Sequence, residues 1–535
     1  MKKSSKTKKC LCMLACLSIL TSVFTSCSTE NSGSEAENAS TASEITYDGS
    51  GPISLEPVEL SVLTTNGASQ ELDYENMAWQ QEILKRANVV LDMEMVDNGS
   101  YNDIIRPRLA AAVDLPDIVQ VGGTDQDMSY INSGIFQNLT EYYEKYGYNL
   151  KQRFEETPGL KQELTTPDGK IFYVPFIYLT NDWCRCIMVN QPWLDELGME
   201  RPTNMEEFYQ LLKAMKGADL NHNGEDDEVP LFMRQDYTQL LGTFWGLDLE
   251  FGYNLEDDGT VTCSYEQPEY RDYLEYVKKL YSEGLLYNEF ASADLDTQTA
   301  LFSNNQIGVI LHFMSNCTGY SSQIDPDWEF NVDEPIMQPI LPLEGPDRDS
   351  YYYGRDALPA KSIFAISKDC ENPELAFCFM DFMYNEEIAE LAWYGIEGTD
   401  YTLVDGEIEF TDVYLNNEDN YRTKMGYNFE GLPGIQIAGS YGATQCDQII
   451  EANEEIREHV KNPIGFSYAL PEEMEIIQSY KTDLDTYFKE MFVSFITGTV
   501  ELNDTEWENY LANVKAMNVD QITGVYQAMM DRQAQ

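Results

Sequence analysis

Apolar positions along the chain recur in two spacings, one typical of strands and one typical of helices. Residues 60–63 form a short apolar run, and a helical pattern begins at about Tyr74. Apolar side chains then alternate with more polar ones over 89–95, and residues 116–121 return as a strand after a helix that ends near Asp114. This βαβ order predicts a parallel sheet, with ligand loops at the carboxyl ends of its strands.

The same order of elements recurs later in the chain. Thr203 with Glu206 has the pattern of a capping box that opens a helix. Residues 268–284 predict a helix closed by glycine, and residues 372–393, which begin with Asn-Pro, predict a long one. From about residue 470 the chain is expected to be mainly helical, and no internal repeat is found.

The N-terminus predicts export. Five lysines within residues 2–9 precede an apolar run over 11–24, which is shorter than the about 20 residues of a membrane-spanning helix. Residues 1–26 are therefore expected to be a signal peptide. The sequence Phe24-Thr25-Ser26-Cys27 resembles the bacterial lipobox, which implies a lipid anchor on Cys27; an ordinary signal peptide with an incidental cysteine is the alternative. Residues 27–54 are polar and predict a flexible tether.

Composition limits the possible partners. The remaining body is long enough for two lobes with sizeable cores. The chain carries a formal charge of −58, which becomes −63 when the five lysines of the signal are removed, so nucleic acid is excluded as a partner. An anionic polymer is a poor ligand unless a local basic pocket overrides this field.

Cysteines and histidines indicate no reactive centre. Seven of the eleven cysteines lie in the body without a CxxC pair, and we expect buried free thiols and no disulfide framework. The three histidines, His222, His312 and His459, are far apart in sequence, which argues against a histidine-based zinc site or a catalytic triad.

Six segments together resemble the extracellular solute-binding proteins of bacterial ABC importers, in the lipidated group that includes the alginate-binding and LplA-like proteins. They are residues 114–118 (DLPDI), 187–198 (IMVNQPWLDELG) with 202–203, 208–213 before an acidic loop, 281–285 (YSEGL) with 288–290, 372–376 (NPELA) and 394–398 (YGIEG). Each is weak alone, but their order behind a lipobox is specific, and they span nearly the whole mature chain.

The resemblance implies an α/β fold of the type II periplasmic-binding-protein kind, with two hinged lobes whose central β-sheets are flanked by helices. It places the first lobe in residues 55–177 and 313–362, and the second lobe in 178–312 and 363–535, the latter with C-terminal helices. Crossings between the lobes are expected near 175–180, 309–313 and 362–366, all by analogy.

An acidic loop predicts a structural calcium site. Its oxygen donors, in a spacing that matches the calcium loop of the alginate-binding group, are Asp219, Asn221, Asn223, the carbonyl of Glu225, Asp227 and Glu228, around the turn at Gly224. An EF-hand would carry glutamate where this chain has Pro230, so a calcium sensor is not expected. A polar surface turn without an ion is the alternative.

The ligand site can be predicted only in kind. Aromatic residues make up 12% of the chain, and sugars pack on aromatic rings while polar groups bind their hydroxyls. Candidates in expected loops or hinges are Asn66, Asp125, Trp183, Trp245, Tyr353, Arg355 and Trp393. For each single aromatic residue a place in the core is the simpler expectation, and Asn66 and Asp125 could equally be turn residues.

The family resemblance therefore predicts a binding protein and not an enzyme. It implies a protein that carries a small solute, an oligosaccharide above all, to ABC permease subunits. With the lipobox it implies a lipid anchor at the extracellular face of the cell membrane, and a monomer is the default expectation. A non-sugar solute such as a peptide, a secreted carbohydrate-active hydrolase with paired carboxylates and a passive structural lipoprotein stay open as alternatives.

Overall fold

The computed structural model describes most of the chain from residue 44 to residue 533. The described ranges are 44–65, 73–97, 100–121, 130–157, 159–177, 184–330, 334–346, 350–353, 363–404, 406–415, 421–427, 430–437, 440, 442–461 and 468–533. Within them, no helix combines the length and the apolar composition needed to cross a bilayer. The predicted signal peptide and Cys27 lie outside these ranges.

The described chain alternates strands and helices, as its sequence pattern predicts. The strands are β1 Val58–Thr65, β2 Val89–Val96, β3 Ile118–Val121, β4 Tyr173–Ile177, β5 Arg185–Asn190, β6 Val229–Phe232, β7 Tyr253–Leu255, β8 Val261–Cys263, β9 Ile307–Phe313, β10 Met337–Pro339, β11 Tyr352–Tyr353, β12 Ile363–Ile366, β13 Tyr401–Val404, β14 Glu407–Phe410, β15 Gly434–Ile435 and β16 Val460–Lys461. The helices are α1 Ala78–Ala87, α2 Tyr101–Ala111, α3 Thr140–Tyr146, α4 Asn149–Glu156, α5 Leu160–Glu163, α6 Gln191–Leu197, α7 Met205–Met215, α8 Gln235–Thr238, α9 Pro268–Ser282, α10 Leu295–Ser303, α11 Cys317–Ile324, α12 Pro373–Phe382, α13 Glu386–Tyr394, α14 Asp412–Leu415, α15 Tyr421–Met425, α16 Asp447–Ile456, α17 Pro471–Thr497, α18 Asp504–Ala516 and α19 Val519–Gln533.

The first lobe is built on a six-stranded sheet of order β15-β4-β12-β3-β1-β2. β1 pairs in parallel with β2 and with β3, which confirms the predicted βαβ order. β12 runs antiparallel between β3 and β4. β3, β4 and β12 are buried along their whole length, which fits their largely apolar sequences; Gln120 in β3 is the polar exception.

The second lobe is built on a four-stranded sheet of order β10-β5-β9-β6. β6 runs parallel to β9, whereas β5 and β10 are antiparallel to their neighbours. The carboxyl ends of β6 and β9 therefore meet the start of β5 at one edge of this sheet.

Two strands lie in the lobe opposite to the one predicted for them. β10 belongs to the second sheet and β12 to the first, whereas 313–362 was expected in the first lobe and 363–535 in the second. Residues 309–313 are the end of β9 and make no crossing, because the chain continues through α11 to β10 in the same sheet. The chain does change sheets between β4 and β5 and between β11 and β12, close to the other two expected crossings. A short apolar strand has the same pattern in either sheet, so the sequence could not decide between them.

The end of the predicted tether is part of the folded body. Tyr47 and Ile53 are buried, and the Tyr47 hydroxyl donates to Asp381 Oδ2 at 2.6 Å. Asn149 Nδ2 donates to the carbonyl of Gly49 at 2.8 Å. Residues 44–54 thus pack on the first lobe, because a few apolar side chains in a polar segment suffice to fix it.

Two helix boundaries differ from the expectation for the same physical reason. Asn204, and not Thr203, caps α7 by accepting from the backbone N–H groups of Glu206 and Glu207. The long helix expected over 372–393 is split into α12 and α13, because the Asn385 side chain caps a new start by accepting from the N–H of Glu387. Asparagine oxygens compete for helical N–H groups and so open helices.

The chain from Tyr468 through the long helix α17 contacts elements of both lobes. Next to its N-terminus, the Tyr468 ring stacks on Tyr173 of β4 with centroids 6.3 Å apart. Toward its C-terminus, Phe488 stacks on Tyr265 at 4.1 Å and Phe492 on Tyr273 of α9 at 6.1 Å. The predicted C-terminal helices are therefore confirmed, and α17 packs on the second lobe.

The body cysteines lie inside the fold, as expected. Cys184, Cys186, Cys263, Cys317, Cys370, Cys378 and Cys446 are all buried free thiols. Burial raises the pKa of the Cys186 and Cys317 thiols well above the ordinary value, which makes them poor nucleophiles.

Candidate functional site

Six half-buried side chains gather where β6 and β9 end and β5 begins. We call them the edge cluster: Arg185, Arg234, Tyr237, Glu250, His312 and Phe313. Ligands of open α/β sheets bind in the crevice beyond the carboxyl ends of the strands. The edge cluster is therefore the face that the second lobe offers to a ligand.

Arg185 holds the loop around Glu250 against the start of β5. Its Nη1 donates to Glu250 Oε1 at 2.9 Å, and its Nη2 contacts Oε2 in a bidentate pair. The guanidinium carbon lies 5.6 Å from the centre of the Phe313 ring. Two hydrogen bonds to one carboxylate fix the orientation of the planar guanidinium. The charged Arg185–Glu250 pair and the Phe313 ring therefore face the same side of the cluster.

Arg234, Tyr237 and His312 form a stack at the same edge. The Arg234 guanidinium carbon lies 4.9 Å from the centre of the Tyr237 ring, which stacks on His312 at 4.7 Å. Burial, with Arg234 and Arg185 nearby, lowers the pKa of His312 to about 3. The imidazole is thus neutral, and the cluster combines flat ring surfaces with hydrogen-bonding groups, a set that suits a sugar.

A cavity of about 470 Å³ lies beside the edge cluster. Its lining residues come from α8, α9, α17 and the loops around residues 249–265 and 291–293. They are Gln235, Thr238, Leu249, Glu250, Phe251, Tyr265, Tyr270, Tyr273, Ala291, Ser292, Ala293, Lys481, Asp485, Phe488, Lys489 and Phe492. Glu250 belongs to both the cavity and the edge cluster. The volume lies within the usual range for small-molecule sites, about 300–1,000 Å³.

The aromatic wall of this cavity is rigid. The Tyr265 hydroxyl donates to the carbonyl of Leu249 at 2.8 Å, and the Tyr273 hydroxyl donates to the carbonyl of Thr238 at 2.8 Å. Since these hydroxyls are already bonded, the rings contribute shape and apolar surface. Lys481 and Asp485, paired at 2.6 Å, supply a polar edge.

In the first lobe, the strand ends near the cleft are fixed by Gln120. Its Oε1 accepts from Thr64 Oγ1 at 2.7 Å and from the N–H of Thr65 at 2.9 Å. These bonds tie the carboxyl ends of β1 and β3 together. The candidates Asn66 and Asp125, which follow these strands in sequence, lie outside the described residues.

The other predicted ligand residues divide into two groups. Trp183 and Arg355 lie outside the described residues. Trp245, Tyr353 and Trp393 are only 4%, 3% and 2% exposed, so the structure places them mainly in the core and not on an open surface. Trp245 also lines a second cavity, beside Tyr276 and Lys279. Trp245 packs on Tyr273 at 5.5 Å, and Trp393 Nε1 donates to the carbonyl of Ile435 at 2.9 Å.

The edge cluster was not predicted from the sequence. Its signal is modest: Arg234 and Tyr237 follow the apolar run of β6, and His312 ends the apolar run of β9. A polar or aromatic residue directly after a buried strand can be assigned to the cleft only when the neighbouring strands are known. The sequence does not supply that information here, because β6 pairs with β9, which is distant in the chain.

The predicted calcium loop folds around its acidic side chains. Asp219 Oδ1 accepts from the N–H of Gly224 at 3.1 Å, Asn221 Oδ1 from the N–H of Asn223 at 3.1 Å, and Asn223 Oδ1 from the N–H of Glu225 at 2.7 Å. Gly224 has a φ of 83°, which glycine adopts without strain. Successive side-chain oxygens thus brace one loop by accepting from its backbone N–H groups.

One further contact connects this loop to the second sheet, and another closes the loop on itself. Asp227 Oδ2 accepts from Gln306 Nε2 at 2.7 Å, next to the start of β9, and Glu228 Oε1 accepts from the N–H of Leu220 at 2.7 Å. Although burial raises the pKa of Asp227, hydrogen bonds from Asn221, Asn223 and Gln306 lower it on balance, so the carboxylate is ionised.

The donor set fits a calcium ion. Glu228 Oε2 is buried without a hydrogen-bond partner, which is costly for a carboxylate oxygen and is relieved by a cation. Within the described residues, no three His, Cys, Asp or Glu side chains converge as a ready metal cluster. Amide and carbonyl oxygens would therefore complete the shell, as hard oxygen ligands commonly do for calcium.

The sequence matches the family model of bacterial extracellular solute-binding proteins over residues 75–390. Lipoprotein LipO of Bacillus subtilis strain 168 is 29% identical over 357 residues, which cover 64% of this chain and 66% of LipO. The fructooligosaccharide ABC transporter substrate-binding protein FusA of Streptococcus pneumoniae TIGR4 is 26% identical over 288 residues, covering 51% of each chain. The matched regions thus span about two thirds of LipO and about half of FusA.

Two solved structures share the fold. The alginate-binding protein AlgQ2, in its crystal structure without calcium ion, superposes with a TM-score of 0.75 at 21% identity, covering 89% of this chain and 99% of AlgQ2. FusA in complex with kestose superposes with a TM-score of 0.73 at 20% identity, with the same coverage. At these identities the likeness confirms the predicted two-lobed α/β fold.

Proposed function

Since the chain belongs to the family of bacterial extracellular solute-binding proteins, we propose that it captures an oligosaccharide between its lobes and delivers it to the permease subunits of an ABC importer. The observation that carries the choice of ligand is the edge cluster beside the aromatic cavity, which pairs ring surfaces with hydrogen-bonding groups. FusA and AlgQ2, named for fructooligosaccharide and alginate, support a glycan over a peptide.

In this proposal the residues of the second lobe bind first. Tyr237 and the cavity rings pack against the apolar faces of the sugar, and Glu250, held by Arg185, accepts from its hydroxyls. The first lobe then closes from the strand ends at Gln120, and closure removes water from the hydrogen bonds around the ligand. The predicted Asn66, Asp125, Trp183 and Arg355 stay candidates, and all four lie outside the described residues.

A panel of glycans tests the proposal. The melting temperature and the small-angle scattering of the protein are measured after separate addition of kestose, alginate oligosaccharides and galacturonan oligosaccharides. We expect a saturable rise in melting temperature and a smaller radius of gyration with at least one glycan, without hydrolysis products. Turnover of a glycan would instead support the alternative of a secreted hydrolase. If the protein responds to no glycan, the proposal that its ligand is an oligosaccharide is refuted.

We further propose that Cys27 carries the lipid anchor, as an extension of the extracellular location of the family. LipO is itself named a lipoprotein. Labelling of cells with an alkyne fatty acid should mark the wild-type protein and not Cys27→Ala. If the variant is labelled equally, or if the wild-type protein is released into the medium, the anchor is refuted.

Calcium is proposed as a structural ion of the second lobe. Asp219, Asn221, Asn223, the Glu225 carbonyl, Asp227 and Glu228 would hold it, and its charge would neutralise their carboxylates. The Asn223 amide now donates to Asp227, and rotation of that amide would present its oxygen. We also propose that the protein acts as a monomer, which sedimentation analysis with and without calcium checks.

A further inference from the structure

The amide of Asn316 touches two acceptors of unlike kind. Its Nδ2 lies 3.2 Å from the carbonyl oxygen of Phe313 and 3.1 Å from His312 Nδ1. A carbonyl oxygen can only accept, so the NH₂ group must face it. With the amide turned the other way, its oxygen would lie against the carbonyl oxygen and repel it. The orientation of the Asn316 side chain is therefore fixed by the backbone.

This orientation decides which nitrogen of His312 carries the proton. One hydrogen of the Asn316 NH₂ group points to the Phe313 carbonyl, and the other points to His312 Nδ1. Nδ1 must then offer its lone pair, and the neutral ring carries its proton on Nε2. The Nε2–H group has no hydrogen-bond partner among the described residues, and the ring is only half-buried.

The neighbours of His312 keep it neutral. Arg234 and Tyr237 face it from the segment after β6, Arg185 from β5 and Tyr320 from α11. No carboxylate of the described residues is paired with the ring. Both arginines and the loss of water oppose a second proton, so the donor at Nε2 persists over the pH range in which an ordinary histidine titrates, around pH 6.5.

We propose that Asn316 is a positioning residue that fixes His312 as a neutral Nε2–H donor, and that this donor binds an acceptor oxygen of the ligand at the edge cluster. The second half of this inference rests on the proposed oligosaccharide binding. The ligand class it favours is a glycan with an ether, hydroxyl or carboxylate oxygen beside the sugar face that packs on Tyr237, bound with equal strength at mildly acid and neutral pH.

Nitrogen NMR of the ligand-free protein tests the positioning role. With only three histidines in the chain, the His312→Gln variant assigns the ring signals. We expect Nδ1 to resonate as the unprotonated nitrogen and Nε2 as the protonated one, unchanged from about pH 5 to about pH 8. Asn316→Asp, whose carboxylate can only accept, should move the proton to Nδ1. A proton on Nδ1 in the wild-type protein, or ordinary titration near pH 6.5, would overturn the inference.

Binding measurements test the donor role separately. Calorimetry uses kestose, alginate trimer and galacturonan trimer with wild-type protein, His312→Gln and His312→Asn. The glutamine amide can reach the Nε2 position and the asparagine amide only the Nδ1 position, so we expect about tenfold weaker binding for His312→Asn and a smaller loss for His312→Gln. His459→Asn, at an exposed position, is the control.

The outcomes separate the inference from the proposed function. Equal losses of glycan affinity in His312→Gln and His312→Asn would refute the donor role of Nε2, even if the tautomer is as expected. If no glycan binds the wild-type protein, the proposed function fails and the ligand half of the inference fails with it, whereas the nitrogen spectra still decide whether Asn316 sets the tautomer.

Discussion

Removal of one carboxylate from the calcium loop should abolish most of the stabilisation that calcium gives. Glu228 is the informative position, because its Oε1 already accepts from the N–H of Leu220 while its Oε2 is buried without a partner. Glu228→Gln keeps the size of the side chain and removes the charge. Glu225→Gln is the matched control, because Glu225 is expected to offer calcium only its backbone carbonyl.

The size of the effect follows from the binding equilibrium. A ligand at about a hundredfold its Kd stabilises the folded state by about 2.7 kcal/mol. Each tenfold loss of calcium affinity removes about 1.4 kcal/mol of this stabilisation at a fixed saturating concentration. Without calcium, a buried carboxylate oxygen that lacks a partner costs about 1–3 kcal/mol, so Glu228→Gln should be no less stable than the wild-type protein in chelator.

Urea unfolding, followed separately with calcium and with a chelator, measures these differences. The wild-type protein and Glu225→Gln should gain equally from calcium, and Glu228→Gln should gain at least about 1.4 kcal/mol less. Calorimetric titration of calcium gives the affinities independently. Equal gains in all three proteins, or a loss in Glu225→Gln as large as that in Glu228→Gln, would show that the loop is a polar turn and that the ion binds elsewhere or not at all.

Three other changes probe the site and the fold. Tyr237→Ala removes the ring that stacks on His312 and should weaken glycan binding about tenfold by calorimetry, whereas Tyr148→Ala, at a 48% exposed position, should not. Burial raises the pKa of Asp248 to about 7, so the folded chain keeps a proton that the unfolded chain loses near pH 4, and stability falls as the pH rises to 7. Asp248→Asn should remove this loss and be more stable than the wild-type protein above pH 7 in urea titrations, with the exposed Asp257→Asn as control; equal pH profiles would contradict it. Arg532 binds both carboxylate oxygens of Glu473, whose side chain is 9% exposed. Arg532→Ala should therefore lower the free energy of unfolding by about 3 kcal/mol. A loss under about 1 kcal/mol would contradict a buried ion pair.

Local chemistry made part of the candidate site predictable. The donors from Asp219 to Glu228 are close in sequence, so their spacing alone places them around one turn, and in the structure Asp219 and Asn221 accept from backbone N–H groups of that turn. The edge cluster lacks this advantage, because Arg185, Glu250 and His312 come from separate stretches of the chain. Only the pairing of β5 with β9 brings Arg185 and Phe313 opposite each other.

Exposure was the other quantity that the sequence could not supply. Trp245, Tyr353 and Trp393 were candidates because they lie near expected loops and hinges, yet all three are buried under rings or backbone from distant segments. A large aromatic side chain gains free energy from burial in proportion to the area it covers, so it enters the core whenever a neighbour can cover it. Whether such a neighbour exists is a property of the fold.

By itself the sequence determined most of the elements and the acidic charge and predicted the type of fold, because hydrophobic period, capping residues and short motifs act over a few residues. The tertiary structure decided which sheet receives β10 and β12, how residues 44–54 dock on the first lobe, and which side chains meet at the cleft. These outcomes depend on contacts between residues far apart in the chain. A local pattern shows that a strand must be buried, but not which partner buries it.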